Sequence, residues 1–264
     1  MTLSKLIYIP RAVGDCIQVL FHHSLSWPWR WSLMKALLQL KWTLWRHPAQ
    51  QSVTVMLQQQ PFLFPNHSDA QTLLKEIWLQ QVYQPQTPLP ANARMLDLGA
   101  NIGNSSAYMM WLHGVTTVIA YEPDAQNFAL LQQNLGQHTS VQLHQQAVGT
   151  KHETRSIALN YASGINKQFD VPGTDAVISV ADIADVLAPG FDLVKMDIEG
   201  AEWPLLQRIA ILNLLQKANY WMIELHALHA HTAEWATITA LCTEQGYQID
   251  RIDCVWHLYK MPDR

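Results

Sequence analysis

Carboxylate and imidazole side chains follow two apolar runs in the second half of the chain, and these groups suit proton transfer. "FDLVKMD" ends in Asp197, with Glu199 in the next turn, and "NYWMIELH" ends in Glu224 and His226. A carboxylate or an imidazole can remove a proton from a hydroxyl, and imidazole has an ordinary pKa suited to neutral pH. We therefore predict a catalytic edge formed by Asp197, Glu199, Glu224 and His226. A divalent metal held there is an alternative way to activate a hydroxyl.

Acids that follow a strand can have a structural role instead, because the N-terminus of a helix attracts negative charge. Glu199 fits catalysis and helix capping equally well, whereas Glu202 fits capping better. His229 and His231 add imidazoles after the same apolar run, but their spacing matches no standard metal site and favours solvated loop histidines.

A second stretch, "RMLDLGANIGNSS", predicts a ligand-binding turn between an apolar strand and a helix. Two glycines lie four positions apart in it, at Gly99 and Gly103. Glycine lets a backbone approach a ligand closely, and a helix N-terminus offers unpaired N–H groups to an anion. The spacing matches neither the dinucleotide loop G-x-G-x-x-G nor the Walker A loop.

An acid at the end of the next apolar run completes this pattern. Glu122 lies in "YEPD", where a carboxylate can accept hydrogen bonds from both hydroxyls of a ribose. A D-x-G-x-x-x-G turn followed by such an acid is typical of enzymes that use S-adenosylmethionine. The alternative is that Glu122 caps a helix and the glycines only form a turn. The predicted cofactor site comprises Asp97, Gly99, Asn101, Gly103, Asn104, Glu122, Pro123 and Ala147.

Alternating strand and helix patterns from Arg94 onward position both sets of residues. Helices are predicted at Ser105–His113, Asp124–Leu135 and Thr232–Gln245. The predicted strands are "ARMLDLG", "VTTVIAYE", "VQLHQQAVG", "FDLVKMD", "NYWMIELH", "YQIDRI" and "VWHLYK". This alternation indicates an α/β fold with a mostly parallel sheet, helices on both faces and ligands at the carboxyl ends of the strands.

Four motifs resemble the FkbM-type family of class I S-adenosylmethionine-dependent methyltransferases: "DLGANIGNSSAYM", "YEPDAQNFALLQQNL", "FDLVKMDIEGAEWPLL" and "IELH". The resemblance runs from about Asp69 to Lys260. It implies a Rossmann-like sheet of seven strands with the last one antiparallel, and O-methylation of a hydroxyl on a glycan or small natural product. The family's loop and acid correspond to Asp97, Gly99, Asn101, Gly103 and Glu122.

The resemblance also implies that the segment between Gly149 and Phe191 helps to form the acceptor pocket. Tyr161, Ser163 and Asn166 are candidate residues there. A rival function of another class is a scaffold module that keeps the cofactor fold without catalysis, but the intact glycine turn and Glu122 argue against it.

Composition excludes several other classes of protein. The 264 residues are 49% hydrophobic and 14% charged, which suits one globular domain with an extension. A net charge of -4 gives no basic field for nucleic acid. The three cysteines form no CxxC pair, so neither a disulfide framework nor a zinc knuckle is indicated. No long apolar span and no signal-peptide pattern is found, so we expect a cytoplasmic location, with peripheral contact to a membrane as an option.

The first part of the chain differs in charge and aromatic content, and we predict a helical and hairpin extension over residues 1–68, followed by the methyltransferase domain over 69–264. Residues 1–50 contain six Lys/Arg, one acid and five of the 11 tryptophans. "WSLMKALLQLKWTLWR" predicts a helix with a broad apolar face. That face can pack on the rest of the protein or on a second subunit of a homo-oligomer, or it can lie in a membrane interface. We favour packing over membrane contact.

Overall fold

The computed structural model describes residues 14–22, 25–47, 49–67, 69–157, 160–161, 167–168 and 176–261. The chain forms two compact units, Met1–Gln81 and Val82–Arg264. This division comes later than the boundary predicted after residue 68, because the helix that begins at Asp69 contacts the long helix of the first unit.

The described residues of the first unit form helices and a hairpin. Residues 14–20 form the described part of helix α1. Helix α2 spans Trp27–Arg46 and contacts strand β1 (Ser52–Leu57), which pairs with β2 (Gln60–Pro65). Gln58 and Gln59 both have positive φ, as a two-residue hairpin turn of the I′ type requires. Helix α3 spans Asp69–Leu74 and continues as a π-helical turn over Lys75–Leu79.

A seven-stranded sheet is the centre of the second unit. Its spatial order is β13-β14-β12-β11-β3-β4-β5. The strands are β3 (Arg94–Leu98), β4 (Thr117–Tyr121), β5 (Val141–His144), β11 (Phe191–Met196), β12 (Ala218–Glu224), β13 (Gln248–Ile252) and β14 (Val255–Tyr259). Strand β14 is antiparallel to both its neighbours, and β3, β4, β5, β11 and β12 are parallel. The α/β fold class and the antiparallel last strand are therefore confirmed.

Five α-helices lie between these strands in the part of the second unit that the structure describes. They are α4 (Asn104–His113), α5 (Ala125–Leu135), α6 (Ile183–Leu187), α7 (Glu202–Ile211) and α8 (Thr232–Glu244). Asp124 caps α5 by accepting from the N–H groups of Gln126 and Asn127. The strand order reverses between β3 and β11, so a ligand site is expected at their carboxyl ends.

The prediction of one continuous strand for "VQLHQQAVG" is wrong. Strand β5 ends at His144, and β6 (Ala147–Gly149) belongs to a second sheet with β10 (Ala176–Asp182) and β7 (Glu153–Ile157). Because β5 is an edge strand, the chain can leave the main sheet there without breaking a ladder on its other side. Short strands β8 (Asn160–Tyr161) and β9 (Lys167–Gln168) pair with each other.

Candidate active site

The two glycines of the turn after β3 are required by the packing of the chain itself. Gly99 and Gly103 have φ of 78° and 87°, in the left-handed region. A Cβ atom on Gly99 would lie 1.8 Å from the carbonyl oxygen of Asp197. A Cβ atom on Gly103 would lie 2.8 Å from side-chain methyls of Leu131 and Leu135. The turn after β3 is thus in direct contact with the loop after β11.

Asp97 stabilises this turn through hydrogen bonds to the start of α4. It is fully buried, and its Oδ2 accepts hydrogen bonds from the hydroxyls of Ser105 at 2.8 Å and Ser106 at 2.7 Å. Its Oδ1 lies 3.4 Å from Nζ of Lys195. Asp97 therefore fixes the first turn of α4. It is not one of the cleft-lining residues described below, and neither are Gly103 and Asn104.

Glu122 lies at the carboxyl end of β4 and is nearly fully buried. Its Oε2 accepts from the N–H of Asn101 at 2.8 Å, and its Oε1 accepts from the N–H of Asp124 at 2.9 Å. Burial raises the pKa of Glu122 to about 7. A carboxylate oxygen has two acceptor sites, so ribose hydroxyls can bind while both backbone bonds persist. Asp124, rather than Glu122, caps the helix that follows.

One cleft of about 1010 Å³, counting its open mouth, joins the two predicted sets of residues. Gly99, Asn101, Glu122, Pro123 and Ala147 line it, and so do Asp197 and Glu199. Val148, Ile178, Val180 and Leu205 form an apolar wall, and Gln146, Thr150 and Arg155 add polar groups. Arg155 of β7 and Ile178 and Val180 of β10 belong to the segment between Gly149 and Phe191, which was expected to form the acceptor pocket. Ser163, Asn166 and the side chain of Tyr161 lie outside the described residues.

A buried lysine connects the glycine turn to the acidic edge. Nζ of Lys195 donates to the carbonyl oxygen of Gly99 at 2.7 Å and lies 3.4 Å from Oδ2 of Asp197. Burial opposes its charge, but the carboxylates of Asp97 and Asp197 outweigh burial and hold the pKa of Lys195 above its usual range. Sequence reasoning missed this residue, although a lysine inside the apolar run "FDLVKMD" is itself a signal of a paired buried charge.

Tyr83 brings Asp197 and Glu224 together. Its hydroxyl lies 3.4 Å from Oδ2 of Asp197 and 3.3 Å from Oε2 of Glu224. Burial, and then the charge of Asp197, raise the pKa of Glu224 to about 7. Tyr83 was not predicted from the sequence either. No pattern in the segment before the predicted linker indicates that this tyrosine reaches the edge of the sheet.

His226 lies between two glutamates. Its Nδ1 is 3.0 Å from Oε1 of Glu202, and its Nε2 is 3.3 Å from Oε2 of Glu199. The hydrogen bond with Glu202 raises the pKa of His226 to about 9. This imidazole is therefore charged at neutral pH, which differs from the neutral base predicted from its ordinary pKa.

Glu199 has the properties of a base near neutral pH. Burial, and then the negative charge of Asp197, raise the pKa of Glu199 to about 7. Its φ is 54°, in the left-handed region, as in several other turns of the chain. Glu199 also faces the cleft, whereas His226 does not line it.

Glu202 is the first residue of helix α7, and its carboxylate binds the loop that precedes this helix. Its carboxylate accepts from the N–H of Ile198 at 3.1 Å and from that of Gly200 at 3.1 Å and 3.2 Å. Asp197, Glu202 and His226 also offer atoms within 4.8 Å of one another, a spacing that a metal ion could bridge. Since Glu202 already bonds His226 and two backbone N–H groups, these contacts favour an ion pair. His231 stacks on Trp203.

Residues 97–249 match the model of the methyltransferase FkbM domain, a range that includes the glycine turn and the acidic edge. The chain belongs to the FkbM methyltransferase family.

The chain is also similar to a curated protein and to solved structures. "Methyltransferase 1" of Beauveria bassiana (strain ARSEF 2860) is 34% identical over 89 residues, which are 33% of this chain and 34% of that protein. A methyltransferase FkbM structure from Methylobacillus flagellatus KT is 22% identical, with a TM-score of 0.49, over 72% of this chain and 54% of that one. Aeropyrum pernix fibrillarin, solved with natively bound S-adenosyl-L-methionine, is 10% identical, with a TM-score of 0.40, over 69% and 71%. The chain spans about a third of the curated relative and about half of the first of these structures.

Proposed function

We propose that the chain is an S-adenosylmethionine-dependent O-methyltransferase whose acceptor is a hydroxyl of a glycan or small natural product. The observation that carries the proposal is that Glu122 and Glu199 line the same cleft. Glu122 is a carboxylate suited to binding a ribose, and Glu199 is a carboxylate suited to deprotonating a hydroxyl. Membership of a methyltransferase family supports the same reaction class.

The donor set of the cleft fits this cofactor. Glu122 would accept hydrogen bonds from the ribose hydroxyls, and Asn101 and Pro123 line the cleft beside it. Val148 and Ile178 offer apolar surface for a flat base. When bound, the cofactor supplies a sulfonium methyl group for direct displacement, a reaction in which positioning dominates.

The residues of the acidic edge have different roles in removing the proton of the acceptor. Glu199 accepts the proton of the acceptor hydroxyl, because its raised pKa lets it hold a proton near pH 7. The charged His226 stands beside Glu199 and favours its ionised form. Lys195 pairs with Asp197 and ties the edge to Gly99. Gln146 and Thr150 offer hydrogen bonds that suit a hydroxyl-rich acceptor.

A divalent cation bound by Asp197, Glu202 and His226 is the second route to an activated hydroxyl. Dialysis against a chelator, followed by readdition of Mg²⁺ or Mn²⁺, separates the two routes. Activity that survives chelation supports Glu199 as the base, and activity that needs readdition supports the cation.

Transfer of labelled methyl from the donor to panels of glycans, phenols and amines tests the proposal. We expect product only with hydroxyl acceptors. Glu199→Gln should lose transfer while donor binding in calorimetry persists. Transfer to amines alone would contradict the O-methyl assignment. Donor binding without turnover on any acceptor would instead support the non-catalytic scaffold.

A further inference from the structure

Helix α2 leaves a row of tryptophans in solvent. Trp27, Trp31, Leu38, Trp42 and Trp45 are each between 43% and 57% exposed. At about 100° per residue, these five positions fall within about 60° of the helix circumference. They form a continuous row along the helix, which we call the tryptophan stripe.

The opposite face of α2 packs into the hydrophobic core of the first unit. Leu33, Ala36, Leu37 and Leu40 are buried there, and α2 contacts β1. Packing and membrane contact were alternatives for one broad apolar face in the sequence. The structure separates that face into two, and the tryptophan stripe is the part that the first unit does not bury.

The surroundings of the stripe are basic. The sequence has no acidic residue between Asp15 and Asp69. Lys35 and Arg46 are exposed, at helix positions beside the stripe. The guanidinium of Arg46 lies over the ring of Trp45 at 5.7 Å. Lys41 is the exception, because it is buried and forms an ion pair with Asp15.

We propose that the tryptophan stripe docks α2 flat on a bilayer surface that contains anionic lipid. Tryptophan rings concentrate at the level of the lipid headgroups, and amphipathic helices with basic flanks lie in that plane. Lys35 and Arg46 provide the attraction to anionic headgroups. Among the described residues, no helix is both long and apolar enough to cross a bilayer.

Charge favours lipid over a second copy of the chain as the occupant. A two-fold pairing of stripes would bring Lys35 and Arg46 of both copies into one interface. Because no acid lies between Asp15 and Asp69, the α2–hairpin segment offers no exposed carboxylate to balance them. An anionic lipid surface provides that balance.

Flotation of the full chain with vesicles tests the proposal. Vesicles of phosphatidylcholine alone are compared with vesicles that also contain phosphatidylglycerol. We expect the chain to float with the anionic vesicles. Lys35→Glu combined with Arg46→Glu should lower the anionic partition coefficient by at least about fivefold per residue, the equivalent of about 1 kcal/mol for each lost charge.

Loss of the aromatic rings should weaken binding to both vesicle types. Trp42→Ser combined with Trp45→Ser removes half of the tryptophans in the stripe. The matched control is Ile211→Ser on α7, which removes an apolar residue that is 82% exposed elsewhere. Circular dichroism confirms that each variant keeps its helices. Flotation that falls in the tryptophan variant and persists in the control supports the proposal.

Three results would overturn the assignment. The first is a chain that stays in solution with all vesicles, and the second is a tryptophan variant that floats as well as the parent. The third is a dimer in light scattering that the tryptophan substitutions dissociate while flotation stays absent, which would assign the stripe to a second copy.

Discussion

At the scale of single residues, three charged groups decide which side chain takes a proton at neutral pH. Burial and the charge of Asp197 raise the pKa of Glu199, whereas the charge of His226 lowers it. His226 is itself held in its charged form by Glu202. The pKa of about 7 for Glu199 is thus raised mainly by burial and then adjusted by neighbours of opposite charge.

Substitutions of His226 and of Asp197 should shift the pH profile of kcat in opposite directions. Turnover should rise with pH through about 7 as Glu199 loses its proton. His226→Gln removes a positive charge, so the profile should move to higher pH. Asp197→Asn removes a negative charge, so it should move to lower pH. Shifts of equal sign would contradict the assignment of Glu199 as base, and Glu234→Gln on α8 serves as a neutral control.

Glu122→Gln should weaken donor binding with only a moderate loss of stability. An amide replaces a carboxylate that would accept charge-assisted hydrogen bonds, each worth about 1.5–3 kcal/mol before compensation. The amide also leaves Asn101 or Asp124 with a poorer acceptor. Calorimetry with the donor measures the effect. Ser106→Ala is the stability control, since it removes a bond to Asp97 outside the cleft. Equal loss of affinity in both variants would refute a direct role of Glu122.

At the scale of elements, periodicity and end signals predicted most of the second unit. Apolar runs gave its main strands, and Asp124 marked the start of α5 as a cap should. The break between β5 and β6 was missed, because a strand that changes sheets keeps its local pattern. Pairing across strands was missed as well: Lys195 reaches Gly99 from the adjacent strand, and local sequence does not give the register.

Gly99 illustrates the same limit, and it carries a prediction about the turn between β3 and α4. The sequence suggested that a ligand needs this glycine, whereas its missing Cβ makes room for the carbonyl oxygen of Asp197. Gly99→Ala should therefore destabilise the chain without any cofactor, by more than the roughly 1–2 kcal/mol of the left-handed backbone alone. Gly114→Ala is the matched control, because Gly114 also has positive φ but has no atom within 4 Å of its added Cβ. Equal losses in urea unfolding would show that the clash is relieved at no cost.

At the scale of the whole molecule, charge is divided between the two units. Asp15 is the only acid before Asp69, so nearly all carboxylates belong to the later part of the chain. Glu122 and Glu199 line one cleft, and Glu224 lies within reach of Tyr83 beside Asp197; each of these three glutamates has a pKa raised to about 7. A site of this kind makes stability depend on pH, since protons that the folded state keeps are released on unfolding.

Stability should therefore fall as pH rises from about 6.5 to 9. His226 has a folded pKa of about 9 against an ordinary 6.5, so its contribution is complete below 6.5 and is lost through 9. The three glutamates act in the same direction up to about 7, because their folded pKa values are raised from 4.5. Burial lowers the pKa of His113 to about 4, so His113 destabilises the fold only below pH 6.5 and has no effect between pH 6.5 and 9.

Hydrogen exchange of β11 and β12 amides, corrected for intrinsic rates, measures how the stability of the second unit changes with pH. His226→Gln should be less stable than the parent at pH 7 and show a flatter decline to pH 9, and an unchanged slope would mean that Glu202 does not hold the imidazole in its charged form.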